Sequence, residues 1–124
     1  MEPITESSIL APFVGKKVDP ERLASCARKN RAEANSDEYI IYSAGYLYDP
    51  ALRERFGVTN KLKDLWERRG TEYNIYLYIS GGILLRSKIL KYTESGGARP
   101  SMAEPKPTQQ ELRIARRILE FVTR

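Results

Sequence analysis

A run of alternating side chains followed by two glycines sets the first limit on the fold of this chain. Between residues 72 and 79 every second side chain is apolar, at Tyr73, Ile75, Leu77 and Ile79. A period of two residues is typical of a β-strand with one buried face. Ser80-Gly81-Gly82 predicts a turn, and residues 83–92 predict a second strand. The chain therefore contains a β-hairpin whose apolar face needs a covering layer.

The length of the turn decides which side chains face each other across the hairpin. A two-residue loop would place Arg86 opposite Leu77 and so bury a charge, whereas a three-residue loop gives one apolar face. We therefore predict a bulged hairpin with a three-residue loop and one glycine in the left-handed conformation. In this register Ile79 pairs with Ile83, Leu77 with Leu85, Tyr73 with Ile89, Tyr76 with Arg86, and Asn74 with Lys88. The alternative for residues 83–94 is a helix ended by Gly96, which would turn the glycines into a weak anion site.

The C-terminal helix is predicted from a capping box, Thr108-Gln-Gln-Glu111, that precedes an apolar run. Over residues 108–123 the apolar side chains recur at helical spacing and fill about half of the helical wheel. The opposite face holds Arg113, Arg116 and Arg117 together with Glu120. Residues 93–107 contain prolines and glycines and predict a long loop before the helix. We expect the apolar half to dock on the chain's own sheet; a homodimer through this helix is the alternative.

Local signals place the remaining elements of a single α+β domain over residues 19–124, after an N-terminal arm or loop at 1–18. Asp19-Pro20 and Asp49-Pro50 each join an N-cap side chain to a proline at the first helical position. The predicted helices cover residues 20–34, 50–56 and 60–69, and the aromatic, β-branched run at 38–48 predicts a further strand. We expect a small antiparallel sheet of two to three strands, with helices packed mainly on one face and the C-terminal helix closing the core.

The absence of histidine excludes several classes of function. The 124 residues include no histidine and one cysteine, Cys26, so the chain makes no internal disulfide and no zinc site that needs histidine or several cysteines. Ser-His-Asp and Cys-His catalysis both need a histidine. We therefore expect a non-catalytic protein without a metal or a cofactor, and an enzyme is the least favoured class. Arg28 and Lys29 would lower the pKa of the Cys26 thiol, but we favour a buried packing residue.

Two further patterns bear on metals and membranes. Asp64 and Glu67 share a predicted helix face, but Lys61 and Arg68 lie at helical spacing and favour surface salt bridges over a metal contact. No apolar run is long enough to cross a membrane, and the acidic start Met1-Glu2-Pro3 is unlike a secretory signal. We expect no membrane partner and a cytoplasmic protein, with the nucleus as the alternative.

The net charge of +5 is concentrated late in the chain. Residues 73–124 hold nine basic and four acidic side chains, whereas residues 1–36 and 37–72 have net charges of +1 and −1. Arginine outnumbers lysine thirteen to eight, and a guanidinium suits bidentate contacts with phosphate. This pattern favours a polyanionic partner, although the same charge is normal for a solvated surface.

The eight tyrosines all fall in predicted strands, and Tyr76 and Tyr78 share a face with Arg86 and Lys88. Nucleic-acid bases stack on such rings while phosphates contact the cations. The competing interpretation is structural, because tyrosine–arginine pairs across strands stabilise a sheet without any ligand.

Together these patterns predict a non-catalytic nucleic-acid-binding protein, with RNA or DNA as the expected partner. The predicted contact residues are Tyr76, Tyr78, Arg86 and Lys88 on the sheet and Arg113, Arg116 and Arg117 on the C-terminal helix. The alternative is a structural or assembly subunit whose tyrosine-rich surface and C-terminal helix contact other proteins, since tyrosine and arginine are enriched at interfaces.

Overall fold

The computed structural model describes residues 5–30, 37–93 and 106–124. Its antiparallel strands lie side by side in chain order: β1 (Arg28–Lys29), β2 (Glu38–Ile41), β3 (Glu72–Ser80) and β4 (Ile83–Tyr92). The α-helices are α1 (Glu6–Leu10), α2 (Pro20–Cys26), α3 (Ser43–Leu47), α4 (Pro50–Phe56), α5 (Asn60–Arg69) and α6 (Gln109–Val122). The α+β class is confirmed, and the sheet has four strands where two to three were expected.

One face of the sheet forms the floor of the hydrophobic core. The alternating apolar side chains of β3 are buried as predicted, and Ile41, Leu84 and Ile89 extend the same face across β2 and β4. Helix side chains pack against this floor, among them Phe56 and Ile118. Each fully buried side chain of this kind stabilises the fold by about 1.5–3 kcal/mol. The opposite face of the sheet contributes nothing to this core cluster. Part of that face is still covered, because Ile40 and Asn74 are buried there and Asn74 accepts a hydrogen bond from the start of α3.

Three helices keep the boundaries that their caps predict. Asp49 accepts hydrogen bonds from the backbone N–H groups of residues 51 and 52 at the start of α4, and Gly57 ends that helix with φ 76°. Thr59 caps α5 in the same way. At α6, Thr108 and Glu111 form the reciprocal capping box, so the predicted helix is confirmed to within one residue at each end.

The hairpin is confirmed as two strands, but its predicted register is wrong. The loop has two residues, Gly81 and Gly82, with φ 60° and 75°, a geometry that matches the twist of the strands. A bulge at Leu85 then shifts the pairing by one residue, and Leu85 turns out to solvent with 54% of its surface exposed. The short loop therefore buries no charge. The cross-strand pairs are Tyr78 with Arg86 and Tyr76 with Lys88, and the helical alternative for this run is wrong.

The strand predicted at 38–48 is wrong beyond Ile41, where the chain turns into α3. Ser43, Tyr46 and Leu47 are buried at a spacing of three and four residues, so a helix places all of them on the core, which a strand cannot do. The Tyr46 hydroxyl donates to the backbone oxygen of Tyr73 at 2.6 Å. Tyr42, Tyr46 and Tyr48 are thus not strand residues, contrary to the prediction for all eight tyrosines.

The helix predicted at 20–34 is also too long. It ends at Cys26, and Arg28 and Lys29 pair with Ile40 and Tyr39 as an edge strand. The apolar face of this helix is thin, and strand pairing satisfies the backbone once that face ends. Residues 31–34 of the predicted helix lie outside the described residues, as does most of the loop predicted at 93–107.

The N-terminal segment is folded rather than an arm. Thr5 forms a capping box at α1, a 3₁₀ turn follows at Ala11–Phe13, and Ile9, Leu10 and Phe13 enter the core. The Glu6 carboxylate accepts the backbone N–H of Ile89 at 3.2 Å, and Gly15 donates to Leu84 at 2.8 Å. These bonds occupy edge groups of β4 that would otherwise invite pairing with another chain.

A buried polar network ties α6 to the sheet and to α5. The side chain of Glu111 is 1% exposed. It accepts hydrogen bonds from Trp66 Nε1 at 2.9 Å, from Lys91 Nζ at 2.7 Å and from the backbone N–H of Thr108 at 2.8 Å. The Tyr73 hydroxyl donates to the backbone oxygen of Glu111 at 2.7 Å. The apolar half of α6 is covered by its own chain, so docking within the chain is confirmed, and the homodimer stays a prediction.

Cys26 is a buried packing residue, and burial raises the pKa of its thiol to about 11. The reactive species is the thiolate, whose population falls tenfold per pKa unit. Iodoacetamide at neutral pH should therefore modify the native protein at least about 100-fold more slowly than the urea-unfolded chain, measured by intact-mass spectrometry. Equal rates in the two states would contradict this placement of Cys26.

Candidate nucleic-acid interface

The alternation that buries Ile75 and Leu77 turns Tyr76 and Tyr78 to the opposite face of the sheet, where both are half-buried. Arg86 and Lys88 lie directly opposite these two tyrosines on β4 and are exposed. The four sheet residues predicted from the sequence are therefore together on one surface. We call this surface the sheet face; it also includes Arg28 of β1 and Glu38 of β2, which follow the same register.

Each cation of the hairpin lies over the ring of its cross-strand tyrosine. The guanidinium carbon of Arg86 is 4.0 Å from the ring centroid of Tyr78, and the Lys88 ammonium is 5.0 Å from that of Tyr76. Contacts of this kind are worth about 0.5–1 kcal/mol at exposed sites. They hold two positive charges above aromatic rings while one side of each cation still faces solvent.

Glu38 places a negative charge among these groups. The pKa of its carboxyl lies below the usual value, first because Tyr78 donates a hydrogen bond to it, with Asn30 as a further donor. The positive charges of Lys88 and Arg86 lower that pKa further, while burial opposes the shift. Glu38 is thus ionised at neutral pH and orients Tyr78, and Arg28, Arg86 and Lys88 leave the sheet face with an excess of positive charge.

A cluster of three tyrosines extends the sheet face toward α3. The cluster consists of Tyr76, Tyr92 and Tyr42. The pKa of Tyr76 is raised to about 12, mainly because the residue is partly buried. The neighbouring hydroxyls of Tyr92 and Tyr42 raise this pKa further, and Tyr92 also forms a hydrogen bond with Tyr76. The Tyr76 phenol is therefore neutral at pH 7 and can stack or donate a hydrogen bond. The sequence-based site omits Tyr92, Tyr42, Arg28 and Glu38. The alternation of β4 would have indicated Tyr92, whereas Tyr42 joins the cluster only through the turn into α3.

The arginines of α6 lie elsewhere. The apolar half of α6 packs on the core side of the sheet, so Arg113, Arg116 and Arg117 point away from it, and the core separates them from Arg86 and Lys88. Arg116 lies 4.0 Å from Glu120, and the guanidinium of Arg117 packs so closely on Gly57 that a Cβ there would clash. The predicted contact residues therefore do not form one surface: Tyr76, Tyr78, Arg86 and Lys88 lie together, and the arginines of α6 lie apart from them.

Two further arginines on the helix side of the domain contact an aromatic ring. Arg55 lies 5.0 Å and Arg22 5.4 Å from the centroid of the Phe121 ring, measured from each guanidinium carbon. Arg22 also lies near Asp19. These contacts join α2 and α4 to the C-terminal half of α6, a structural role that needs no ligand.

Over residues 5–30, 37–93 and 106–124 there is no cluster of three acidic or cysteine side chains able to hold a metal ion. On α5, Glu67 pairs with Lys63 at 2.8 Å, so the expected surface salt bridge forms with a different lysine. Within the same ranges no helix has the length and apolar character to span a bilayer.

Neither the family models, nor the curated proteins, nor the solved structures contain a significant match to this chain. The functional proposal therefore depends on the geometry of the chain's own residues.

Proposed function

We propose that this protein binds single-stranded nucleic acid, RNA or DNA, through the sheet face. The observation that carries the proposal is the pairing of two exposed cations with two tyrosines on one face of the sheet, Arg86 with Tyr78 and Lys88 with Tyr76. Unpaired bases stack on aromatic rings, and their phosphates contact adjacent cations. A duplex hides its base faces, so this surface suits a single strand better.

The arrangement of the sheet face supports limited sequence preference. Stacking on Tyr76 and Tyr78 is tolerant of base identity, because every base has a flat face. Glu38 would repel a phosphate, so the strand's backbone is expected to run along Arg28, Arg86 and Lys88 with its bases toward the tyrosines. The proposal leaves out Arg113, Arg116 and Arg117, because a short strand cannot touch both sides of the domain.

A salt titration tests the proposal. We expect a short fluorescent single strand to bind at low salt, with log K falling against log salt with a slope of about −2 for three phosphate contacts. The measurement is fluorescence anisotropy, and a duplex of the same length, which should bind more weakly, is the control. A flat salt response, or no binding at low salt, would overturn the proposal.

A further inference from the structure

A cavity of about 270 Å³ opens beside the sheet face, where α3, the end of α5 and the start of β3 meet. Its lining includes Leu47, Tyr48, Trp66, Thr71, Glu72 and Asn74. We call it the side pocket. Its volume lies just below the range of ordinary small-molecule sites, which suits one flat ring system rather than a larger ligand.

Two exposed aromatic rings flank the side pocket. Tyr42 is 39% and Tyr48 57% exposed, and both line it together with the buried ring of Trp66. Large exposed rings beside a concave surface favour a stacked ligand, since stacking removes apolar area from water. The Lys63 ammonium lies 5.6 Å from the ring centroid of Tyr48 and is paired with Glu67 at 2.8 Å, so this rim is close to neutral.

Asn74 offers a hydrogen-bond donor to the side pocket. The residue is 3% exposed, and its Oδ1 accepts the backbone N–H of Ser43 at 3.2 Å. Its Nδ2 has no hydrogen-bond partner in the part of the chain that the structure describes. Among the described residues the fully buried side-chain atoms without a partner are Arg53 Nε and Ser87 Oγ, so Asn74 Nδ2 keeps some contact with solvent and can donate to an acceptor on a bound group. Glu72 supplies an acceptor beside it for a donor on the same group.

We propose that the side pocket takes one nucleobase, stacked on Tyr42 and Tyr48 beside the buried Trp66 and read by Asn74 and Glu72. A base combines a flat ring with adjacent donors and acceptors, which is the chemistry that these residues provide. Tyr42 also belongs to the tyrosine cluster of the sheet face, so a strand on that face can deliver a base to the pocket. This inference builds on the proposed function, and the base can come from a strand or from a free mononucleotide.

Trp66 fluorescence tests the inference, because it is the only tryptophan of the chain and lines the side pocket. We expect AMP, GMP, CMP or UMP to quench it saturably, and a single strand to quench it more strongly. An abasic strand should bind by anisotropy without quenching. Free N-acetyltryptophanamide in the same titrations corrects for absorption by the bases.

The outcomes separate the two proposals. Strand binding without quenching would overturn the side pocket and leave the proposed function intact. Quenching by mononucleotides without strand binding would support the pocket and overturn the proposed function. If the protein shows neither strand binding nor quenching, both proposals are overturned.

Asn74→Asp provides the second arm of this test. The variant keeps the acceptor for Ser43 but replaces the unpartnered donor with an oxygen, so mononucleotide affinity should fall by about tenfold or more. Ser80→Asp is the matched control, because it adds the same charge to the same face of β3 about 20 Å away and should leave that affinity unchanged. Equal affinity of Asn74→Asp and the unchanged protein would overturn the role of Asn74.

Discussion

Replacing both hairpin cations by glutamine, Arg86→Gln with Lys88→Gln, should weaken binding of a short single strand by about 30-fold at low salt. Two surface phosphate contacts worth about 1 kcal/mol each account for this factor. The slope of log K against log salt should also fall in magnitude from about 2 to below 1. Anisotropy titrations at several salt concentrations measure both quantities. Both side chains are exposed and contribute little to the core, so the variant should fold.

The matched control is Arg113→Gln with Arg116→Gln on α6. It removes the same net charge from exposed positions on the other side of the domain. At about 0.1 M salt the Debye length is about 10 Å, so charges farther apart are largely screened and the affinity at that salt should change by less than about twofold. A large loss in this variant and none in the hairpin variant would move the nucleic-acid site to α6 and contradict the proposed sheet face.

Glu111→Leu should lower the free energy of unfolding by about 3–5 kcal/mol. The substitution leaves the Lys91 ammonium without its counter-charge and the Trp66 N–H without an acceptor, both in poorly hydrated positions. It also removes the acceptor for the backbone N–H of Thr108 at the start of α6. The loss is a large fraction of the about 5–15 kcal/mol that stabilises a domain of this size. Urea unfolding followed by Trp66 fluorescence and circular dichroism measures it.

Two companion variants separate the causes of this loss. Glu111→Gln keeps an acceptor for Trp66 but removes the charge, so its effect should be smaller than that of leucine. Glu111→Leu combined with Lys91→Met removes both charges and should recover part of the stability, because no ion is then left buried alone. A Glu111→Leu protein as stable as the parent would contradict the network. A double variant less stable than Glu111→Leu would show that Lys91 does not depend on Glu111.

The elements that could be predicted are those whose signals are local. The caps of α4, α5 and α6 consist of side chains that bond to backbone within three residues, so the sequence contains all the partners. The outward direction of Tyr76 and Tyr78 follows from strict alternation in β3. Arg86 and Lys88 were also placed on this surface although the predicted register was wrong, because the predicted and observed pairings differ by two residues and so turn the same side chains outward.

The elements that were predicted wrongly from the sequence depend on which segments pack against each other in the folded chain. The run at 38–48 has strand-forming residues, yet the core accepts Ser43, Tyr46 and Leu47 only from a helix. The hairpin register depends on a bulge at Leu85, which is favourable because that side chain is free to face solvent. The N-terminal segment has no clear period, but the edge of β4 supplies its hydrogen-bond partners.

The amino-acid sequence alone determines where α4, α5 and α6 begin and end and which side of β3 is apolar. It also determines that histidine-based chemistry is absent. Each of these depends only on composition or on neighbours along the chain. The packing of distant segments determines the register of the hairpin, the turn into α3, the joining of Tyr42 to Tyr76 and Tyr92, and the separation of the α6 arginines from Arg86 and Lys88. Burial of apolar area is shared among segments far apart in sequence, so no local pattern specifies which of them will meet.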